Sequence, residues 1–171
     1  MSKTFLIDRF SEPLTEEEAE KYFGHFVSFD ENDELIEPSS EHLLEFESII
    51  KKLFGSFFKD KMDLLEITLD QTLGNHLEEK SWIKDSLRST EFNEYKEYAK
   101  NKTEKRIRDV NSNDLEFFVM IACRELFFPS FELPGITITP CDDNVFLVSY
   151  DNELLAQELK GLVHELGLYQ R

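Results

Sequence analysis

The segment that most restricts the fold is the most apolar one, "SNDLEFFVMIACRELFFP" at residues 112–129. Its apolar residues surround most of the circumference of a helix, which Ser112 or Asn113 can cap and Pro129 is expected to end. A helix that is apolar on nearly every side must be covered on every side. We therefore predict that this helix lies at the centre of the fold.

The sequence also indicates where in the cell the protein is found. Its run "FFVMIAC", residues 117–123, is far shorter than the roughly 20 residues that a membrane span requires. The N-terminal "MSKTFLIDRF" has charges on both sides of a short apolar patch, unlike a signal peptide. Cys123 and Cys141 are isolated, so they indicate neither a disulfide framework nor a metal-binding pair. We expect a cytoplasmic protein without membrane contact.

Apolar stripes at helical spacing predict two further packed helices. One covers about residues 40–54, and Gly55 is expected to end or bend it. The other begins at Asn152 and stops at Gly167. The two stripes are Leu43, Phe46, Ile50 and Leu53 in the first helix, and Leu155, Leu159, Leu162, Val163 and Leu166 in the second.

Two more helices are predicted from their caps. Thr15 and Glu18 have the spacing of a capping box, which predicts a helix over about residues 16–23 with Gly24 as its stop. Thr90 is expected to cap a highly charged helix with a narrow apolar stripe, which predicts that this helix is largely exposed.

Residues 61–80 fit either a helix or a strand. Leu65, Ile67 and Leu69 alternate as in a strand, but Leu65, Leu69 and Leu73 also have helical spacing. We favour a helix because the pattern runs for more than ten residues.

Two β-hairpins complete the predicted fold. "GITIT" and "VFLVSY" are separated by the turn residues "PCDDN", and "HFVSF" and "ELIE" are separated by the acidic "DEND". We expect a single α+β domain, residues 1–171, in which a small antiparallel sheet of two hairpins packs against five or six helices.

The net charge of −17 is unevenly distributed. Residues 12–47 contain thirteen acidic residues and one lysine, whereas residues 51–108 have a net charge of +2. Such a field repels nucleic acid and anionic membranes and attracts basic proteins. We expect the partner-binding site to comprise eight carboxylates: Glu16, Glu17 and Glu20 on the first helix, and Asp30, Glu31, Asp33, Glu34 and Glu37 on the acidic hairpin.

Metal binding and catalysis are weakly indicated. Residues from Asp30 resemble a calcium loop, but Leu35 stands where the sharp turn of an EF-hand requires glycine. The histidines are scattered, and the sequence contains no phosphate-binding, dinucleotide-binding or hydrolase motif. We expect no cofactor, no metal and no enzymatic activity.

These features favour a binding protein that neutralises a basic partner. Its most concrete form is an immunity or antitoxin-type inhibitor of a cationic nuclease toxin, because a nuclease needs a positive cleft to hold phosphates. Two alternatives remain: a small enzyme whose carboxylates act as acid, base or metal ligands, and a non-catalytic adaptor or DNA mimic.

Overall fold

Seven strands form one antiparallel sheet in the computed structural model, which describes residues 2–23 and 26–171. The strands are β1 (Lys3–Asp8), β2 (Glu66–Thr68), β3 (Arg106–Ile107), β4 (Ser130–Leu133), β5 (Ile136–Cys141), β6 (Val145–Tyr150) and β7 (Tyr169–Gln170). Their order across the sheet is β3-β2-β4-β5-β6-β1-β7. The α+β class is confirmed.

The sheet is larger than the two hairpins that we predicted. The hairpin of β5 and β6 is confirmed, with Ile138 opposite Val148. The acidic hairpin is not part of the sheet, because its one ladder contact is an isolated bridge between Phe29 and Leu35. Its apolar residues pack instead against Leu43, in a small cluster separate from the main core.

The described residues form six α-helices and four short 3-10 helices, which is more helical segments than the predicted five or six. The α-helices are α1 (Glu16–Phe23), α2 (Glu41–Phe58), α3 (Leu73–Glu79), α4 (Ser89–Asn101), α5 (Ser112–Cys123) and α6 (Glu153–Glu165). Helix α2 packs against α5 and α6. It also contacts the sheet, since the ring of Phe54 lies 4.8 Å from that of Phe131 and 5.5 Å from that of Phe146.

The central position of the apolar segment is confirmed, because nearly all of α5 is buried. Its ends differ from those predicted. Asn111 is the N-cap and accepts a hydrogen bond from the backbone of Asp114 at 2.9 Å. The helix ends six residues before Pro129, because Glu125 has a positive φ and the Leu126 amide donates back to the Ile121 carbonyl. This pattern is a Schellman C-cap.

Helix α2 continues past Gly55, so the first of the two predicted alternatives, an end at that residue, is wrong. The next turn buries Phe57 and Phe58 completely. Burying one such side chain stabilises the fold by about 1.5–3 kcal/mol, which exceeds the roughly 1 kcal/mol cost of a glycine within a helix.

The helix that we favoured for residues 61–80 is wrong over most of its length. Residues Glu66–Thr68 form β2, and Ile67 pairs with Phe131 on one side and with Ile107 on the other. The strand alternative was correct here, because Leu65, Ile67 and Leu69 are all buried. Helix α3 begins only after Thr72, which caps it.

The predicted caps have mixed outcomes. The capping box of Thr15 and Glu18 is confirmed, and so is the cap at Asn152. The cap at Thr90 is wrong: α4 begins at Ser89, because the carboxylate of Glu91 accepts the Arg88 backbone N–H at 2.7 Å. The predicted stop of α1 at Gly24 lies outside the described residues.

Candidate functional site

The acidic loop, residues 30–37, is a closed turn stabilised by its own backbone. The Asp30 amide donates to the Glu34 carbonyl at 2.9 Å, and the Asp33 amide donates to the Asp30 carbonyl at 3.1 Å. Asp33 adopts a φ of 62°. This is a left-handed conformation that aspartate tolerates better than most residues do.

The carboxylate of Asp30 stabilises this turn from inside. It accepts backbone N–H bonds from Asn32 at 2.8 Å and from Glu34 at 3.0 Å. These bonds, that from Glu34 foremost, lower the pKa of Asp30, because they favour the charged form. Asp30 therefore keeps its negative charge to a lower pH than an aspartate without these bonds.

The carboxylate of Asp33 ties the loop to the start of α4. It accepts hydrogen bonds from the Ser89 backbone N–H at 2.7 Å and from the Ser89 hydroxyl at 2.8 Å. An anion at a helix N-terminus also interacts favourably with the helix dipole. On the other side, the Phe29 amide donates to the Asp85 carbonyl at 2.8 Å. The loop is thus fixed on both flanks.

Beneath the loop lies a buried ionic network centred on Arg124. Its guanidinium donates to Glu47 at 2.8 Å, to Glu91 at 2.7 Å and to the Ser86 carbonyl at 3.1 Å. Two further bonds to the same carboxylates use the remaining N–H groups. Burial alone lowers the pKa of Arg124, but the bonds to Glu91 and Glu47 raise it overall, so the charge persists.

The ring of Phe29 connects the loop to this network. The Arg88 guanidinium carbon lies 4.4 Å from the ring centroid, and that of Arg124 lies 5.5 Å from it. Both distances allow cation–π attraction, which is stronger for a desolvated cation. Because Phe29 is buried next to the acidic turn, the network supports the base of the loop.

A pocket of about 460 Å³ lies between the acidic loop and α4. Its walls combine carboxylates from the loop with two lysines and apolar groups. The lining residues are Phe29, Asp30, Glu31, Asp33, Lys84, Asp85, Leu87, Ser89, Phe92, Asn93 and Lys96. The sequence did not indicate the residues from 84 onward, because no local pattern shows which distant segment a loop will contact.

The three predicted carboxylates of α1 are exposed but do not line this pocket. Helix α1 is held instead at the start of α2. Both ring nitrogens of His42 lie within hydrogen-bonding distance of backbone carbonyls, at 2.6 Å from Ser39 and 2.7 Å from Tyr22. Of the eight predicted residues, the structure brings Asp30, Glu31 and Asp33 together around the pocket, whereas Glu34 and Glu37 are exposed on the return of the loop.

None of the eight predicted carboxylates forms an ion pair with a lysine or arginine of the described residues. Asp30 and Asp33 have the hydrogen bonds given above, and the other six side chains have none within that part of the chain. Eight other carboxylates of the described residues form ion pairs, namely Asp8, Glu47, Glu66, Glu91, Asp114, Glu132, Glu153 and Glu158. The charge of the loop is therefore not neutralised by ion pairs with the described residues.

A second acidic turn joins β5 to β6 and was not among the predicted site residues. Burial raises the pKa of Glu125, and the nearby carboxylates of Asp143 and Asp142 raise it further. The two aspartates of this turn are visible in the sequence "PCDDN", which we used only to predict a turn.

Over residues 2–23 and 26–171, no three His, Cys, Asp or Glu side chains come together as a metal site. No helix in the same residues is long and apolar enough to cross a bilayer. Comparison with protein-family models, with curated proteins and with solved structures finds no match to this chain.

Proposed function

We propose that this chain is a binding protein that neutralises a basic protein partner through its acidic loop. One observation carries the proposal: four of the five loop carboxylates are exposed and none is paired with a basic residue of the described chain, on a backbone that is already fixed. A charged loop of this kind needs little ordering when it binds, and a preorganised surface loses less conformational entropy.

The physical role of the loop is attraction and orientation. Clustered carboxylates repel one another, so a cationic partner relieves a cost that the isolated protein bears. Complementary charge raises association rates from about 10⁵–10⁶ M⁻¹s⁻¹ towards 10⁸–10⁹ M⁻¹s⁻¹ at low salt. Glu31, Glu34 and Glu37 are suited to this role, because they are exposed and their side chains form no hydrogen bond or ion pair with a described residue.

In its most concrete form, the protein is a cytoplasmic immunity or antitoxin-type inhibitor of a nuclease toxin. A nuclease holds its substrate with lysines and arginines that face phosphate groups. A rigid acidic loop presents anionic oxygens to the same groups. The pocket is lined by both apolar and acidic residues, among them Phe29, Phe92 and Glu31, and so offers a place for the aliphatic part of a partner's lysine or arginine.

The proposal is tested by affinity capture with three forms of the protein. The loop variant is E31K/E34K/E37K, which leaves the structural carboxylates of Asp30 and Asp33 intact. The control variant, E78K/E104K/E165K, changes the net charge equally at exposed positions outside the loop. Each form is immobilised and exposed to an extract of the organism that makes it, and bound proteins are eluted by salt and identified by mass spectrometry.

We expect a protein with a pI above about 9 to be retained by the wild type and the control variant but not by the loop variant. Loss on the control variant as well would show that net charge acts without the loop. Equal retention by all three forms would remove the loop from binding altogether.

A further inference from the structure

Two large apolar side chains are exposed on the segment that carries the acidic loop. Phe26 is 63% exposed and Ile36 is 53% exposed. The Ile36 amide donates to the Ser28 carbonyl at 2.9 Å, so Ile36 lies opposite Ser28, two residues from Phe26. Diagonal neighbours in such a register lie about 7–8 Å apart, which is within reach of large side chains.

Folding does not require apolar residues at these two positions. The inner side of the segment is formed by Val27 and Phe29, which are buried against Leu43 of α2. Alternation then places the side chains of Phe26 and Ile36 outward, where a polar residue would serve the fold equally well. A departure from the inside–outside pattern at neighbouring surface positions is typical of an interaction site.

The charges around Phe26 and Ile36 indicate which kind of partner binds there. Asp30 and Glu34 follow Phe26 and precede Ile36, and Glu37 is adjacent to Ile36; none of the three forms an ion pair with a described residue. A second copy of this chain would bring the same carboxylates and a further net charge of −17. An anionic membrane would be repelled in the same way. Charge complementarity therefore favours a basic protein segment.

A buried hydrogen-bond acceptor beside Phe26 also favours an occupant that carries donor groups. A cleft of about 20 Å³ is lined by Phe26 and Asn144, among other residues. Asn144 is 7% exposed, and its Oδ1 has no donor among the described residues. Arg124 also lines the cleft, but its N–H groups are taken by Glu47, Glu91 and Ser86. The space suits a single hydrogen-bond donor of the size of water.

We propose that Phe26 and Ile36 anchor a basic amphipathic segment of the partner, in which apolar side chains lie next to lysines. This rests on the proposed function and adds the apolar half of the recognition. The carboxylates attract and orient the segment, while the two side chains supply the desolvated contact that slows dissociation. The apolar pair is thus expected to affect dissociation more than association.

Two synthetic helical peptides test the inference by fluorescence anisotropy. One has lysines on one face and leucines on the other, and the second has serines in place of the leucines. We expect the wild type to bind the leucine peptide about tenfold more tightly than the serine peptide, as removal of interface anchors typically costs. We expect F26S/I36S to lose this preference, because both substitutions remove apolar area at exposed positions.

The matched control is L154S, which removes an apolar side chain that is 83% exposed on α6. It should keep the preference of the wild type for the leucine peptide. The inference is overturned if the wild type binds both peptides equally, or if F26S/I36S keeps the preference.

The loop variant E31K/E34K/E37K separates this inference from the proposed function. If it loses both peptides while the wild type does not distinguish them, the acidic loop binds cations and only the apolar anchor fails. If the wild type binds the peptides no better than the loop variant does, the proposed function fails and the inference fails with it.

Discussion

Among single residues, Arg124 has the most demanding environment. It is buried between two carboxylates from different helices, Glu47 of α2 and Glu91 of α4. Such a pair contributes little net stability compared with an apolar core, but removal of one partner leaves an uncompensated charge. The position therefore tolerates few substitutions.

We expect Arg124→Met to lower the free energy of unfolding by up to about 3–5 kcal/mol, because Glu47 and Glu91 would lose their buried cation and keep only the more exposed Lys51 and Arg88. Arg106→Met is the control, since the Arg106 side chain is 53% exposed and its ion pair with Glu66 should contribute less than about 1 kcal/mol. Denaturant unfolding measures both. If R124M does not fold, E47Q/E91Q/R124M should recover part of the stability; equal losses in R124M and R106M would contradict a buried network.

His76 is a second buried polar residue, and its environment gives a pH dependence. One ring nitrogen, Nε2, contacts the Leu126 carbonyl, and Nδ1 lies 2.7 Å from the Gln71 side-chain nitrogen. With Nε2 donating, Nδ1 accepts from Gln71, and the ring is neutral. Burial lowers the pKa of His76 below its ordinary value of 6.5, despite the bond to Leu126.

The sign of the effect follows from proton uptake. Below pH 6.5 the unfolded chain protonates His76 before the folded protein does, so the free energy of unfolding falls as the pH falls. We expect His76→Gln, which keeps a donor for the Leu126 carbonyl, to flatten this part of the stability profile. Thermal unfolding between about pH 7 and pH 5 measures it against the wild type. Identical slopes in the two proteins would show that His76 does not contribute.

The sequence predicted the charge of single residues well but not their tertiary contacts. The charge of the acidic loop was visible, because thirteen acids against one lysine over residues 12–47 need no structure to notice. The role of Asp33 was not, because its partner Ser89 is distant in the chain and both residues resemble ordinary turn residues. Composition indicates where charge is concentrated, whereas tertiary contacts decide which charges are used internally.

Helices and strands were predicted best where burial and local preference agree. Helices α5 and α6 and the hairpin of β5 and β6 combine strong apolar periodicity with caps or turn residues. The strand β3 was missed because it has two residues, too few for periodicity to show. The alternation around β2 was visible, but we preferred the helical spacing that overlaps it. Their strand conformation comes from pairing with β4 and with each other, which only the folded chain reveals.

Gly55 and Gly135 are expected to respond differently to substitution by alanine, because only Gly135 is required by the geometry of a turn. A Cβ at Gly55 would meet no atom within 4 Å, whereas one at Gly135 would lie 2.7 Å from the Cβ of Asn152. Gly135 also has a φ of +90°, which residues with a Cβ rarely adopt.

We therefore expect Gly55→Ala to raise the free energy of unfolding by about 0.5–1 kcal/mol, because α2 continues through this position. Gly135→Ala should lower it, through strain and the clash at the turn between β4 and β5. Denaturant unfolding of the two variants gives the comparison, and destabilisation by Gly55→Ala would show that α2 bends or breaks at residue 55.

In the whole molecule, most ion pairs of the described residues involve the core and the sheet. Of the buried carboxylates, Glu47 is paired with Arg124, Asp8 with Arg171 and Asp114 with Lys102. The more exposed Glu66 and Glu158 are paired with Arg106, Arg108 and Lys61. The loop carboxylates have no such partners among the described residues. The fold thus keeps its ion pairs for the core and the sheet, and presents residues 30–37 as an anionic surface.

The association rate with the captured basic protein, measured by stopped-flow at increasing ionic strength, tests this account most directly. We predict that E31K/E34K/E37K associates at least about tenfold more slowly than both the wild type and E78K/E104K/E165K at low salt. The difference should shrink as the Debye length falls from about 30 Å at 0.01 M to about 3 Å at 1 M. Equal rates for the three forms at low salt, or the absence of any basic protein to capture, would contradict it.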